Sequence, residues 1–138
     1  MGLFNTFDVS GSAMTAQTVR MNLVASNLAN VNSAASSVEG TYKSRQAVFK
    51  TIVDQFSNDP AVAKVAVDRI VESEEPLKAQ YQPYHPNANE DGYVFMPNVN
   101  PIEAMANMID ASRSYQTNVE VLNTTKQLLL RTINLGKS

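Results

Sequence analysis

Residues 100–136 read NPIEAMANMIDASRSYQTNVEVLNTTKQLLLRTINLG, and this stretch decides the fold. Asn100 is a good N-cap, Pro101 suits the first helical position, and Glu103 supplies the acid of a capping box. An apolar seam then runs Met105, Met108, Ser112, Tyr115, Val119, Leu122, Lys126, Leu129, Ile133. Its steps alternate three and four, which is the coiled-coil period. Gly136 is the natural stop, with Arg131 and Lys137 near the negative end of the helix dipole. The predicted helix is about 50 Å long. A compact chain of 138 residues has a radius of gyration of only about 14 Å, so this helix reaches beyond what one small domain needs. A second row, Ile102, Ile109, Gln116, Asn123 and Leu130, lies off the seam and is partly apolar. That row asks for a partner beyond a single helix. Lys126 sits on the seam, where it either snorkels or sets register and partner choice.

The other end of the chain carries a matching pattern. Phe7, Met14, Met21 and Leu28 are spaced seven apart, with Leu3, Val24 and Val31 on the companion position. Ser10 and Gln17 fall in the same companion series, so the seam is apolar at both ends and polar in the middle. The spacing predicts a helix over roughly 4–32, about 40 Å long. Residues 1–38 contain only two charges, Asp8 and Arg20. A helix that shows most of its surface to water carries more charge than that. Several of its faces are therefore expected to meet other helices, through small and amide side chains that bring no unpaired charge. Two long helices at opposite ends of one chain can pair as an antiparallel coiled coil. The expected fold class is mainly α with a small β part. Residues 1–32 and 100–138 form a discontinuous helical core, and 33–99 form a linker plus a small outer region.

That middle region reads differently. Ala61–Val71 alternates like a strand, and Val48–Phe56 is ambiguous between strand and helix. Residues 81–97, YQPYHPNANEDGYVFMP, are denied a helix by their prolines. Glu90-Asp91-Gly92 is a turn leading into a short strand, Tyr93-Val94-Phe95. Residues 33–39 read as a flexible link without an apolar anchor beyond Val38.

Composition excludes much of chemistry. The formal charge is −2, from 11 Lys and Arg against 13 Asp and Glu, without the basic surplus that nucleic-acid binders show. No run of about 18 apolar residues marks a membrane span. There is no cysteine and one histidine, His85, so thiolate chemistry is absent and metal chemistry is poorly supplied. His85, Asn87, Asn89, Glu90 and Asp91 make the one polar cluster worth weighing as a site, and Asx residues beside glycine are what a solvated turn wants anyway. Glu72, Glu74 and Glu75 are sequence neighbours before Pro76, with no sign of the opposed geometry that catalytic carboxylates need. Phosphate-loop, dinucleotide, zinc-protease and nucleophile-elbow motifs are missing. The expectation is a protein that is not an enzyme, with no cofactor, metal or small-molecule substrate.

Three motifs resemble one family. Ser26–Asn32, SNLANVN, is similar to the N-terminal signature of the axial proteins of the bacterial flagellum, its rod and hook; Asn27, Asn30 and Asn32 are its asparagines. Residues 84–94, YHPNANEDGYV, followed by Met96-Pro97-Asn98-Val99-Asn100, resemble a narrower signature of the proximal-rod basal-body proteins, carried by His85, Pro86, Gly92, Tyr93, Pro97, Asn98 and Asn100. Residues 108–119, MIDASRSYQTNV, resemble the C-terminal axial motif. Many axial proteins continue the first motif with Thr-Pro-Gly-Tyr, whereas this chain runs SAASSVEGTY over 33–42.

The resemblance implies a structural subunit that polymerises into a helical tube around an export channel and transmits torque across the periplasm. It implies export by the flagellar type III apparatus without a cleaved signal. Implied partners are further copies, the other proximal-rod proteins and the inner-membrane ring protein. Packing and assembly would fall to Phe7, Met14, Met21, Val24, Leu28, Val31, Met105, Met108, Tyr115, Val119, Leu122, Leu129 and Ile133. The competing reading is a cytosolic coiled-coil adaptor or export chaperone, which would show charged flanks that the first helix lacks.

Overall fold

The computed structural model describes residues 3–53 and 63–136. Residues 54–56 of the ambiguous segment, Ala61 and Val62 of the expected strand, and Lys137 lie outside them. The elements run α1 (Leu3–Ala29), β1 (Arg45–Val53), β2 (Ala63–Glu72), β3 (Lys78–Tyr81), β4 (Tyr93–Met96) and α2 (Pro101–Leu135). Two long helices thus flank a small β region, as the heptads and the punctuation between them require.

The start of α2 follows its capping chemistry. Asn100 is extended, and its side chain accepts from the N–H groups of Ile102 and Glu103 at 3.1 and 3.5 Å. Gly136 caps the other end in a right-handed conformation, its N–H donating to Thr132 O at 3.1 Å. The described part of the ambiguous segment, Val48–Val53, belongs to strand β1, which pairs antiparallel with β2 in register Arg45↔Glu72 through Val53↔Ala63. Asp68 is the extra residue of a bulge opposite Val48/Phe49, so β1 itself stays regular. β3 pairs with β4 as a second antiparallel hairpin. β3 carries Lys78 and Gln80 and is exposed throughout, which leaves it no hydrophobic pattern to announce it.

Among the described residues, α2 packs on α1 and on no other helix or strand. Arg20 of α1 donates to Asn107 Oδ1 at 2.7 Å, so the C-terminal half of α1 meets the N-terminal part of α2. The inner surface is made of small side chains. On α2 it is Ala104, Ala111 and Thr125, with Met108, Tyr115, Asn118, Leu122 and Leu129 half-buried beside them. Of the seam that spacing expects, Met108, Ser112, Tyr115, Val119, Leu122 and Leu129 are half-buried while Met105, Lys126 and Ile133 are exposed; the fully buried positions, 104, 111 and 125, lie one residue before the 105–112–126 row. On α1 the buried residues are Ser10, Ala16, Val24 and Asn27. Small residues on both helices let the backbones approach, and that contact outweighs the larger apolar area of the neighbouring row. One polar atom in this surface, Gln17 Oε1, is buried without a hydrogen-bond partner. A polar residue at a core position costs stability and favours one register.

The link after α1 is held by backbone bonds where apolar anchors are missing. Ala35 and Phe95 exchange N–H···O bonds of 3.0 and 2.9 Å, Asn87 Nδ2 donates to Ala34 O at 2.9 Å, and Thr41 is buried with its hydroxyl on Ser37 O. Val94, next to Phe95, is fully buried.

Candidate functional site

Two asparagines of the sequence motifs join the three parts of the chain. Asn27, on α1, is buried. Its Nδ2 donates to Arg45 O at 2.8 Å, and its Oδ1 accepts from Arg45 N at 2.9 Å and Tyr42 OH at 2.8 Å. The carboxamide thus satisfies both backbone groups of Arg45, as a neighbouring β-strand would. Tyr42 spends its proton on Asn27, so Ser26 Oγ, 3.1 Å away, is the donor to Tyr42 OH. Asn98, just before α2, holds the same place from the other side. Its Oδ1 accepts from Ser44 N at 2.8 Å, and its Nδ2 donates to Glu75 O at 2.8 Å and Ser73 O at 3.3 Å. The start of β1 is therefore clamped by α1 through Asn27 and by the lead-in to α2 through Asn98. Buried amides with all these bonds made are far cheaper than amides with any of them missing.

A cavity of about 460 Å³ opens beside this clamp, walled by Arg20, Val24, Asn27, Asn98, Ala104 and Asn107 among others. Its walls carry amides, the guanidinium groups of Arg20 and Arg45, the carboxylates of Glu75 and Glu103, and apolar side chains, and no cluster of His, Asp, Glu or Cys among the described residues could hold a metal. It is a gap where helices and hairpin meet.

The remaining motif residues shape the second hairpin. Gly92 is buried with φ +78, and a Cβ there would lie 2.9 Å from the Tyr81 ring. Only glycine fits both constraints. Asn89 Oδ1 accepts from Asp91 N at 3.1 Å and Tyr93 N at 2.8 Å. His85 Nδ1 accepts from Asn87 N at 3.1 Å, a bond within its own turn. Tyr81 and Tyr93 meet edge to face at 5.2 Å. Asn30 Nδ2 returns to Ser26 O at 2.8 Å and closes the end of α1. Pro97 is buried, while Asn32, Pro86 and Asn100 are exposed.

The expected packing residues divide by depth. Val24 is buried; Phe7, Met14, Met21, Leu28, Val31, Met108, Tyr115, Val119, Leu122 and Leu129 are half-buried; Met105 and Ile133 are exposed. Beyond Thr125 every described residue of α2 but Leu129 is exposed, with Leu135 at 77%. Ile102, Ile109, Leu128 and Leu130 also stand in the open. Sequence spacing marked most of these positions, but it missed Tyr42, Ser44 and Arg45, whose role is carried by backbone atoms and by two asparagines far off in sequence.

Residues 7–34 match the model for flagella basal body rod proteins. Residues 90–135 match that for the C-terminal part of the flagellar basal body rod FlgEFG proteins. The flagellar basal-body rod protein FlgC of Escherichia coli is 45% identical over 99% of this chain and 100% of its own. The chain belongs to the FlgC family. The FlgC of Salmonella typhimurium is similar to the same degree over the same shares, and that of Bacillus subtilis is 36% identical over 99% of this chain and 100% of its own. In FlgC terms the matched N-terminal region ends just past Asn32 and the C-terminal one starts at Glu90, so the hairpin β1–β2 falls between them.

Proposed function

We propose that the chain is a structural subunit of the proximal rod of the flagellar basal body. The observation that carries this is likeness to FlgC rod proteins along the whole chain, from α1 through both hairpins to α2. That family is structural, so an enzyme and its cofactors have no place in the reading. The names of the relatives favour the rod over a cytosolic adaptor or export chaperone.

The physics of the helices supports a polymer. α1 and α2 act as an antiparallel coiled coil, with residues 1–32 and 100–138 as the core domain and 33–99 as the outer region. The coil turns its small residues inward and leaves Ile102, Met105, Ile109, Leu128, Leu130 and Ile133 to water. Burying such rows against neighbours returns about 25 cal/mol per Å². Contacts between unlike faces propagate into an open helical tube and do not close into a dimer. Such a tube resists shear because every subunit is held on several sides, which is what torque transmission needs. Its subunits would travel through the central channel by type III export without a cleaved signal and stand in the periplasm. They would meet further copies, the other proximal-rod proteins and the inner-membrane ring.

In a strain lacking its own rod subunit, this chain should restore swimming and sediment with basal bodies. A purely soluble cytosolic pool would reject the rod. Leu122→Asp or Val119→Asp should abolish swimming with expression unchanged, because a carboxylate has no partner in either helix contact. Normal swimming of both variants would reject packing through this seam.

A further inference from the structure

α1 reaches each edge of the hairpin β1–β2 at one point, Ser12 on the β2 edge at Val65 and Asn27 on the β1 edge at Arg45, and the β1 edge beyond Arg45 is open. In an antiparallel ladder the N–H and C=O of a residue point to the same side, and the side alternates along the strand. Val65 N donates to Ser12 Oγ at 3.2 Å, so Val65 points away from β1 and toward α1. Its pair across the ladder is Thr51, which must point away from β2. Arg45 points outward too, since Asn27 takes both its backbone groups. Alternation between Arg45 and Thr51 then sends Ala47, Phe49 and Val53 outward as well. Among the described residues, none of Ala47, Phe49, Thr51 and Val53 makes a backbone bond to anything outside the hairpin. The bulge that often blunts an edge sits on β2, at Asp68, and leaves β1 straight. Phe49 and Val53 are also exposed apolar side chains. A two-stranded hairpin with such an edge is unfinished as a sheet.

The same chain carries a second, different open edge. Phe95 of β4 points outward to Ala35, so its pair Ala79 on β3 points outward on the other side, and Tyr81 with it. The two units are oppositely charged. The described hairpin strands 45–53 and 63–72 hold four cationic residues and two carboxylates, a surplus of +2. Residues 73–96 hold four carboxylates and one lysine, a surplus of −3 with His85 neutral. Glu74, Glu75, Glu90 and Asp91 have no ion-pair partner among the described residues.

We propose that the β1 edge of one copy adds to the β3 edge of a second copy, joining subunits by a backbone ladder outside the helical core. The contact rests on the reading of the chain as a self-assembling rod subunit, and it names a second surface for that assembly. Unlike edges on one chain give a head-to-tail contact, the kind that propagates, and strand addition supplies affinity from backbone bonds.

Proline separates this ladder from the hairpin's own. Thr51→Pro and Ala79→Pro each delete an N–H that faces outward, a place where strand proline is tolerated. Each should leave the circular dichroism and melting of the purified chain close to wild type. Each should weaken assembly about tenfold per contact, read as loss of the chain from the basal-body pellet and of swimming. The chain has no native cysteine, so Thr51→Cys combined with Ala79→Cys or Tyr81→Cys reports contact directly. Oxidised basal bodies should yield a ladder of multiples of this chain, and that result holds even if a proline variant fails to fold. Normal pelleting and swimming of both proline variants would overturn the proposal, as would cross-links of Thr51→Cys only to itself or only to another protein, or no cross-link at all. Absence of the wild-type chain from the pellet would instead reject the rod reading.

Discussion

Ala111→Leu is expected to lower the thermal midpoint of the purified chain by roughly 10 °C and to abolish swimming. Ala111 has no exposed surface, and among the described residues α2 has no helix or strand against it except α1. A leucine there needs three more carbon atoms of space at a position with no exposed surface. The helices must separate or rotate, and every bond that depends on their spacing suffers, including Arg20 to Asn107. Overpacking of this kind costs about 1–3 kcal/mol and sometimes more. Met105→Ala provides the contrast. Met105 belongs to the row that spacing expects inside, yet it is exposed in the single chain. Its replacement should change stability by no more than about 0.5 kcal/mol. Calorimetry or circular dichroism of the two variants checks both statements, and a neutral Ala111→Leu would mean that the helices do not meet along this row.

Asn27→Ala should cost about 2–4 kcal/mol. The loss strands the N–H and C=O of Arg45 and removes the acceptor of Tyr42. Those atoms sit part-buried between helix and hairpin. The consequence extends past stability, since Asn27, with Asp8, Ser12 and Asn98, fixes the hairpin to the helical core. Asn27→Asp is the sharper variant. It keeps an oxygen for Arg45 N and Tyr42, but it sets a second oxygen against the Arg45 carbonyl in place of a donor. It should therefore fall near the alanine variant and far from wild type. Urea unfolding of the three chains is the measurement. Wild-type stability in the Asn27→Asp variant would show that the donor half of the clamp contributes little.

Much of this was legible beforehand. Asn100 and Pro101 announce the start of α2 and Gly136 its end, because capping is local chemistry. The near absence of charge before Glu39 raises the expectation that several faces of α1 meet other helices; among the described residues of one chain α1 meets one helix, α2, and the hairpin β1–β2. The asparagine motifs were visible as letters, but their partners were not. Asn27 and Asn98 act on backbone atoms of Ser44, Arg45, Ser73 and Glu75, and backbone atoms leave no mark on residue identity. Strand β3 was hidden for a related reason, since its partner β4 supplies the ladder while its own side chains face water. The link over 33–39 was open to misreading as free chain, because what ties it down is again a pair of backbone bonds.

Periodicity along the chain was enough to establish two long helices, their ends, and a seam of heptad spacing on each. It could not establish how α2 is turned about its own axis. The rows 105–112–119–126–133 and 104–111–118–125 share one period and differ by a single residue, about 100° around the helix. The first offers more apolar area and the second offers smaller side chains. The choice between them depends on the partner helix α1, whose buried residues include the small or medium-sized Ser10, Ala16 and Val24, and small residues reward tight backbone approach. A rotation is a relation between two surfaces, so only packing could settle it, and settling it left Ile102, Met105, Ile109, Leu128, Leu130 and Ile133 exposed while Met108, Tyr115, Leu122 and Leu129 are half-buried.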